Sequence, residues 1–406
     1  MKLMTSKPRR TGMAQACFFT AIVNGLFSSA HGQDATRPGL PPPAGASPSL
    51  LHYGVFDVLP NLRGGATYDD NIYISSTNRQ SDAILSIAPG VLLGAGDYRA
   101  KEESLVSIAY SPNFILYTDH TRNSAVDQDA ALNAQWRPAS WTYGLQQTYQ
   151  QYSGAVIDVG GRVNRSIYNT AAQVKYDLSP KTTVGIEGQQ SINDYSRVLS
   201  FNEWQVGSYL DYWLTPKIKV GAGLNAGFLD VQSGPNQTYQ QGLVRATYSW
   251  SEKLDARGAA GAEVREFESA EKDQMTGVFA IGGTYKPLEN TSLSLDAYRR
   301  NVNSAVLVSQ NYTLTGISGG VRQLFQEKYT LGLSGGYDNL KYTSTDPTAP
   351  PATRKDDYYY VKLSAEWQVA PRLVVQAFYQ YRKNHSTFAN FTFDNNQTGV
   401  NFSYAF

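Results

Sequence analysis

From about Leu62 to Phe406 the chain repeats one pattern, alternation of apolar with polar residues, and a period of two is the signature of half-buried β-strands. In 358–369, Tyr359, Val361, Leu363, Ala365, Trp367 and Val369 are apolar, while Lys362, Ser364, Glu366 and Gln368 separate them. Ile218, Val220, Ala222, Leu224, Ala226 and Phe228 likewise alternate with Lys219, Gly221, Gly223, Asn225 and Gly227. Val206 to Leu214, Val244 to Trp250 and Ala130 to Trp136 repeat the theme. The alternation predicts eighteen strands: 61–70, 82–95, 104–118, 127–137, 141–153, 166–177, 182–195, 203–214, 218–230, 238–250, 254–267, 275–286, 291–302, 311–325, 329–342, 357–369, 372–384 and 394–406.

Short turn signals punctuate these strands at Arg137 to Ser140, Leu178 to Lys181, Thr215 to Lys217, Ser251 to Lys253, Lys286 to Asn290, Gln326 to Lys328 and Ala370 to Arg372. Their spacing, about 35 to 44 residues, holds two strands of transmembrane length, a tight turn and a longer loop. The longer polar stretches are Ala155 to Asn164, Gln232 to Asn236, Ala270 to Gln274 and Thr343 to Lys355. Short turns at one rim and long loops at the other predict an all-β fold, an up-and-down antiparallel transmembrane β-barrel of about 18 strands, with the short turns in the periplasm. Composition agrees. Only 17% of the residues are charged, Tyr (28) and Gly (35) abound, and no charge-free run of eighteen apolar residues exists to make a helical span. The mean hydropathy of −0.38 is what one lipid-facing and one wet face average to.

The N-terminus carries Lys2, Lys7, Arg9 and Arg10, an apolar run from about Met13 to Phe27, and the small residues Ala30 and Gly32. This predicts a secretory signal peptide over 1–32, cleaved after Gly32. Its removal takes away four of the 35 bases, none of the 34 acids and the single Cys, Cys17, so the mature net charge is −3 and no disulfide is possible. Residues 33–60, opening with Pro38, Pro41, Pro42, Pro43 and Pro48, read as an extended periplasmic leader, with the barrel over 61–406.

Aromatic residues crowd the strand ends beside the short turns: Trp136, Trp141, Tyr176, Tyr212, Trp213, Trp250, Tyr285, Phe325 and Trp367. Amphipathic rings at the headgroup level form such a girdle in outer-membrane barrels. The last strand alternates Thr398, Val400, Phe402, Tyr404 and Phe406 with small or polar residues; its aromatic end, Tyr404 and Phe406, resembles the signal read by the barrel assembly machinery. The same alternation turns Lys175, Glu187, Gln189, Asp211, Lys219 and Asn225 inward. Arg245, Asp255, Arg257, Glu263, Arg265 and Asp296 follow, then Lys362, Glu366, Gln380 and Arg382. Both charge signs occur in comparable number, so no strong ion filter is expected. Inward Tyr209, Tyr298, Tyr358 and Tyr360 add rings on which sugars can stack.

No enzyme is indicated. His52, His120 and His385 are far apart, and neither a nucleophile elbow nor a phosphate loop is present, so no catalytic site, metal or cofactor is expected. Nothing suggests a nucleic-acid partner. The opening of the barrel runs Asp57-Val58-Leu59-Pro60, then Tyr68-Asp69-Asp70-Asn71-Ile72-Tyr73, then Ser86-Ile87-Ala88-Pro89-Gly90-Val91. This resembles the β-barrel porin-2 (OmpL-like) family, with Tyr68, Asp69, Asp70, Asn71, Ile72, Pro89 and Gly90 as the matching residues. The resemblance implies a channel in the bacterial outer membrane, embedded in its lipids, that serves as the exit for exopolysaccharide delivered by a periplasmic polysaccharide export protein. General diffusion of small hydrophilic solutes is the alternative it leaves open.

Overall fold

The computed structural model describes residues 51–232, 234–251, 253–268, 273–306, 310–344 and 354–406. The expected signal peptide and residues 33–50 of the expected leader lie outside the described residues. A short strand β1 (Leu51–Tyr53) folds back on the start of the next, pairing Leu51 with Val58. Eighteen long strands follow: β2 (Phe56–Asp69), β3 (Asp82–Gly96), β4 (Leu105–Tyr117), β5 (Ala125–Trp136), β6 (Trp141–Val156), β7 (Gly161–Ser179), β8 (Thr182–Tyr195), β9 (Phe201–Thr215) and β10 (Ile218–Val231). The second half comprises β11 (Gln237–Ser251), β12 (Leu254–Phe267), β13 (Gln274–Tyr285), β14 (Thr291–Asn303), β15 (Gln310–Phe325), β16 (Tyr329–Ser344), β17 (Lys355–Ala370), β18 (Leu373–Ser386) and β19 (Phe393–Ala405). Every eighteen-strand expectation has its counterpart, displaced by a few residues at the ends.

Each strand pairs antiparallel with its neighbours in sequence, and β19 pairs with β2 from Gln397 opposite Asp69 to Ala405 opposite Asn61. The sheet is therefore a closed barrel with no free edge. Phe56 to Pro60 belong to β2, so the last residues assigned to the leader are barrel wall instead. Pairing with β3 extends these residues into strand, and the Phe406 amide donates to the Pro60 carbonyl (3.1 Å). One interruption has a plain cause. In the register of β3 with β4, Pro89 would face Pro112; neither has an N–H, and the ladder stops after Ile87 opposite Phe114 and resumes at Val91 opposite Tyr110. Ser111 partly compensates, its hydroxyl donating to the Pro89 carbonyl at 3.2 Å.

The outer face is apolar. Ile87, Ile108, Leu116, Ile186, Val206, Leu210, Leu224, Val244, Ile281, Leu295, Leu331, Leu363 and Val400 are all exposed there. An uncovered apolar belt of this extent fits a lipid surface and would be a liability in water. At the short-turn rim Trp136 stacks on Tyr143 (5.3 Å), Trp141 on Tyr176 (4.5 Å) and Tyr329 on Trp367 (6.2 Å), while Tyr212 is exposed beside them. Tyr404 meets Phe406 edge-on at 4.9 Å on the same face.

The Tyr-Asp-Asp-Asn-Ile segment works at the seam. Asp69, fully buried, accepts from the Gln397 side-chain amide (2.6 Å), the Asn395 side-chain amide and the Asn71 backbone N–H (2.8 Å). Asp70 accepts from both the backbone and the side-chain amide of Asn396 (2.7 Å each). The Asn71 side chain donates to the carbonyls of Ser75 (2.9 Å) and Asp394 (3.0 Å). These bonds staple the first long strand to the last, 325 residues away, just where the ladder itself ends. Asp70→Ala and Asn396→Ala should each destabilise barrel closure by about 1–2 kcal/mol, and the double variant by less than the sum. The temperature at which the folded, fast-migrating band is lost in an unheated gel measures this; additive or absent effects would remove the staple.

Candidate functional site: the barrel lumen

Thirteen charged residues were expected to face inward, and strand parity sets each of them on the face opposite the apolar belt. Glu187, Asp211, Lys219, Arg245, Glu263, Arg265 and Arg382 are buried there, while Lys175, Arg257, Lys362 and Glu366 are partly exposed. The charges do not stand singly. Arg245 donates twice to Asp211 (2.9 and 3.1 Å), with Lys219 at 3.6 Å. Arg265 donates to Glu263 (2.8 Å) and to Gln237 (3.1 Å), Arg322 to Glu366 (2.7 Å), and Arg257 faces Asp296 at 3.9 Å. Pairing along a strand or across the inner face, mostly over one intervening strand, is what makes such charges tolerable inside a low-dielectric wall. Tyrosines take part as donors: Tyr239 to Glu203 (2.6 Å) and Tyr298 to Asp338 (2.6 Å).

At the long-loop end the lumen is bridged. The tip between β6 and β7, residues 157–160, sits half the circumference from β15 and β16, yet bonds to β16 and to the residues just after β14 and just before β17. The Asp158 carboxylate accepts from the Tyr342 hydroxyl (2.8 Å), the Ser304 hydroxyl (3.1 Å) and the Ala305 N–H (2.7 Å). Arg354, at 0% exposure, donates to the carbonyls of Asp158 (2.8 Å) and Ile157 (3.1 Å) and to the Asp356 carboxylate. Its guanidinium lies between the rings of Phe391 (3.4 Å) and Tyr342 (4.5 Å). Around this bridge packs an apolar cluster that includes Ile74, Ile157, Tyr312, Leu314, Tyr342 and Phe393. Ile74 reaches it from the loop after β2 with φ of 47°, a left-handed conformation that costs a β-branched residue energy and persists only where packing enforces it. Gly160 has no such choice: its φ is 68°, and a Cβ there would come within 2.7 Å of the Phe391 ring.

Burial pushes the Asp158 carboxyl above its ordinary range, against the Arg354 charge and the three donors, which favour the ionised form. Burial also opposes the Arg354 charge, but the bonds to Asp356 together with the surrounding Tyr342, Asp356 and Asp158 groups outweigh it and hold the guanidinium above its usual value. The docked loop thus binds the Asp158 proton more tightly than an undocked one.

At the short-turn end the lumen instead widens into a cavity of about 500 Å³. Arg137, Lys175, Lys219 and Arg245 line it against Asp177 and Asp211. Two rings share it, Tyr209 beneath the Arg245 guanidinium (4.0 Å) and Trp213 beside the Lys219 ammonium (5.4 Å).

Several expectations are corrected by these placements. Trp213 belongs to the lumen rather than the girdle, because in β9 the odd positions face inward with Tyr209 and Asp211. Nothing is described of the Trp250 side chain. The polar stretch Ala155 to Asn164 is mostly strand, since β6 runs to Val156 and β7 begins at Gly161, and only its tip turns inward. Asp158, Arg354 and Tyr342, central to the bridge, were not singled out beforehand. The one available signal was Val156-Ile157-Asp158-Val159, too apolar for a solvated loop tip. Of the histidines, His52 contacts Asp57 (2.7 Å) at one rim and His120 contacts Asp82 (2.9 Å) at the other.

Residues 244–406 match the family model described as "Putative beta-barrel porin 2". The match lies in the C-terminal part of the barrel, whereas the motif residues that first suggested the resemblance lie at its opening. No curated protein matches the chain. Among solved structures, the chain is similar to OpdO from Pseudomonas aeruginosa (12% identity, 86% of this chain and 97% of that one, TM-score 0.48). It is also similar to OccAB4 from Acinetobacter baumannii (12% identity, 86% and 98%, TM-score 0.46) and to a bacterial polysaccharide outer membrane secretin (8% identity, 86% and 98%, TM-score 0.36). The closed barrel, its apolar belt and the family match make this a porin-like β-barrel of the outer membrane.

Removing the Asp158 acceptor should cost the docked loop about 2–4 kcal/mol. Asp158→Ala and Gly160→Val should both raise single-channel conductance in planar bilayers. Because docking binds the proton, wild-type conductance should fall as pH drops through the window between 3.8, the ordinary carboxylate value, and the raised value of Asp158. Conductance indifferent to both variants and to pH would mean that the bridge does not control the pore.

Proposed function

We propose that this barrel is the outer-membrane exit for a secreted exopolysaccharide, with the short-turn rim in the periplasm, where both strand termini of the barrel lie, and the bridged mouth outside. The observation that carries this reading is the character of the lumen wall. Its charges pair off, and what it presents between them are amides and phenols, including Gln237, Gln241, Asn225, Asn301, Tyr298 and Tyr360. Groups of this kind exchange hydrogen bonds with hydroxyls at every step along a sugar chain and hold none of them tightly, as conduction of a long polymer demands. A periplasmic polysaccharide export protein would dock at the short-turn rim, and assembly in the membrane would follow recognition of Tyr404 and Phe406 by the barrel assembly machinery.

The same pairing of opposite charges favours a second reading, general diffusion of small hydrophilic solutes, since a wall with no net filter discriminates weakly among them. Deleting the gene separates the two. The export reading expects secreted polymer to drop severalfold while uptake of small solutes is unchanged; unchanged secretion with reduced uptake would leave only the diffusion pore.

A further inference from the structure

Elsewhere in the lumen Glu263 pairs with Arg265, Glu366 with Arg322 and Asp296 with Arg257, one base to each acid, but the cavity at the short-turn end holds four bases, Arg137, Lys175, Lys219 and Arg245, against Asp177 and Asp211. Glu187, above Asp211, narrows the excess without cancelling it. The excess continues onto the rim. Three consecutive short turns, 137–140, 180–181 and 216–217, carry Arg137, Lys181 and Lys217 and no acid, and Lys253 stands just before β12 at the same rim. Positive charge of this kind, running from an exposed rim into a walled cavity, raises the local concentration of anions and steers them inward. Charge alone would serve any anion. Tyr209 and Trp213 add broad apolar surfaces edged by cations, and the hydroxyls of Ser140, Ser179 and Thr183 add donors and acceptors. A sugar ring with a carboxylate needs that combination: a flat apolar face to stack, hydroxyls to bond and a charge to neutralise.

We infer that this cavity is a binding subsite for carboxylate-bearing sugars, through which an acidic polysaccharide enters the barrel. The inference rests on the export reading for the polymer's direction of travel, but the subsite itself can be measured without it. The probes are trigalacturonate and its neutral counterpart maltotriose, titrated calorimetrically into the purified full-length barrel in detergent. Trigalacturonate should bind at least about tenfold more tightly than maltotriose, and more weakly as ionic strength rises. Lys175→Gln and Arg137→Gln, both at partly exposed positions, should each weaken trigalacturonate about five- to tenfold and leave maltotriose unaffected. Equal affinity for the two probes, binding of neither, or trigalacturonate binding insensitive both to salt and to the paired substitutions would overturn the subsite. Secretion lost on gene deletion together with no trigalacturonate binding would retain the export reading and discard the acidic substrate. Intact secretion together with selective trigalacturonate binding would retain the subsite as the mouth of a pore for small acidic sugars.

Discussion

Hydrogen bonding of the backbone is the constraint on which everything else here depends. In hydrocarbon no water satisfies a stray N–H or C=O, so a sheet that faces lipid must pair every strand on both sides, and only closure does that. The pairing of β19 with β2 is therefore the act that makes the other seventeen pairings usable in a membrane. The seam also bears a particular burden, because its two strands come from opposite ends of the chain and no turn sets their register. The bonds of Asp69 and Asp70 to Asn395, Asn396 and Gln397, and of Asn71 to the Asp394 carbonyl, supply that register with side chains where a hairpin would have supplied it with backbone.

Once the barrel is closed, the inward face is committed to polar residues, and the low dielectric of the wall decides how they are arranged. Charges group as Asp211 with Arg245 and Lys219, or Glu263 with Arg265, because an isolated one would be expensive. The two ends of the lumen then differ in kind. At the long-loop end the tip at Asp158 crosses to Arg354 and Tyr342 and closes a packed apolar cluster around itself. At the short-turn end an open cavity keeps a surplus of bases beside two rings. A barrel with one mouth latched by non-covalent bonds and the other lined by a surplus of bases is asymmetric along its axis.

The strands were legible because a period of two is a local property: each residue's face follows from its neighbours' faces, with no knowledge of the rest of the molecule. Lys219, Asp211 and Arg245 could be assigned to the lumen on that ground alone. Trp213 was misread for an instructive reason. Its position beside a short turn and its residue type both suit a girdle, but its parity puts it with Tyr209 and Asp211, and parity governs. The partners of the bridge could not be read from the sequence. They come from residues near 158, 305, 342 and 354, and the apolar tip Val156-Ile157-Asp158-Val159 says at most that it avoids solvent, never which far wall it reaches.

The amino-acid sequence by itself determined the number of strands, the sense in which each turns its faces, the lipid belt and the polar lumen, since these follow from alternation and turn chemistry within a few residues. The tertiary structure alone decided how the barrel is sealed and how its ends differ. The Asp-Asp-Asn segment becomes a seam staple only when residue 70 meets residue 396, and the Asp158 loop becomes a bridge only when closure brings the far wall within reach. Both depend on contacts between parts of the chain whose separation no local pattern encodes.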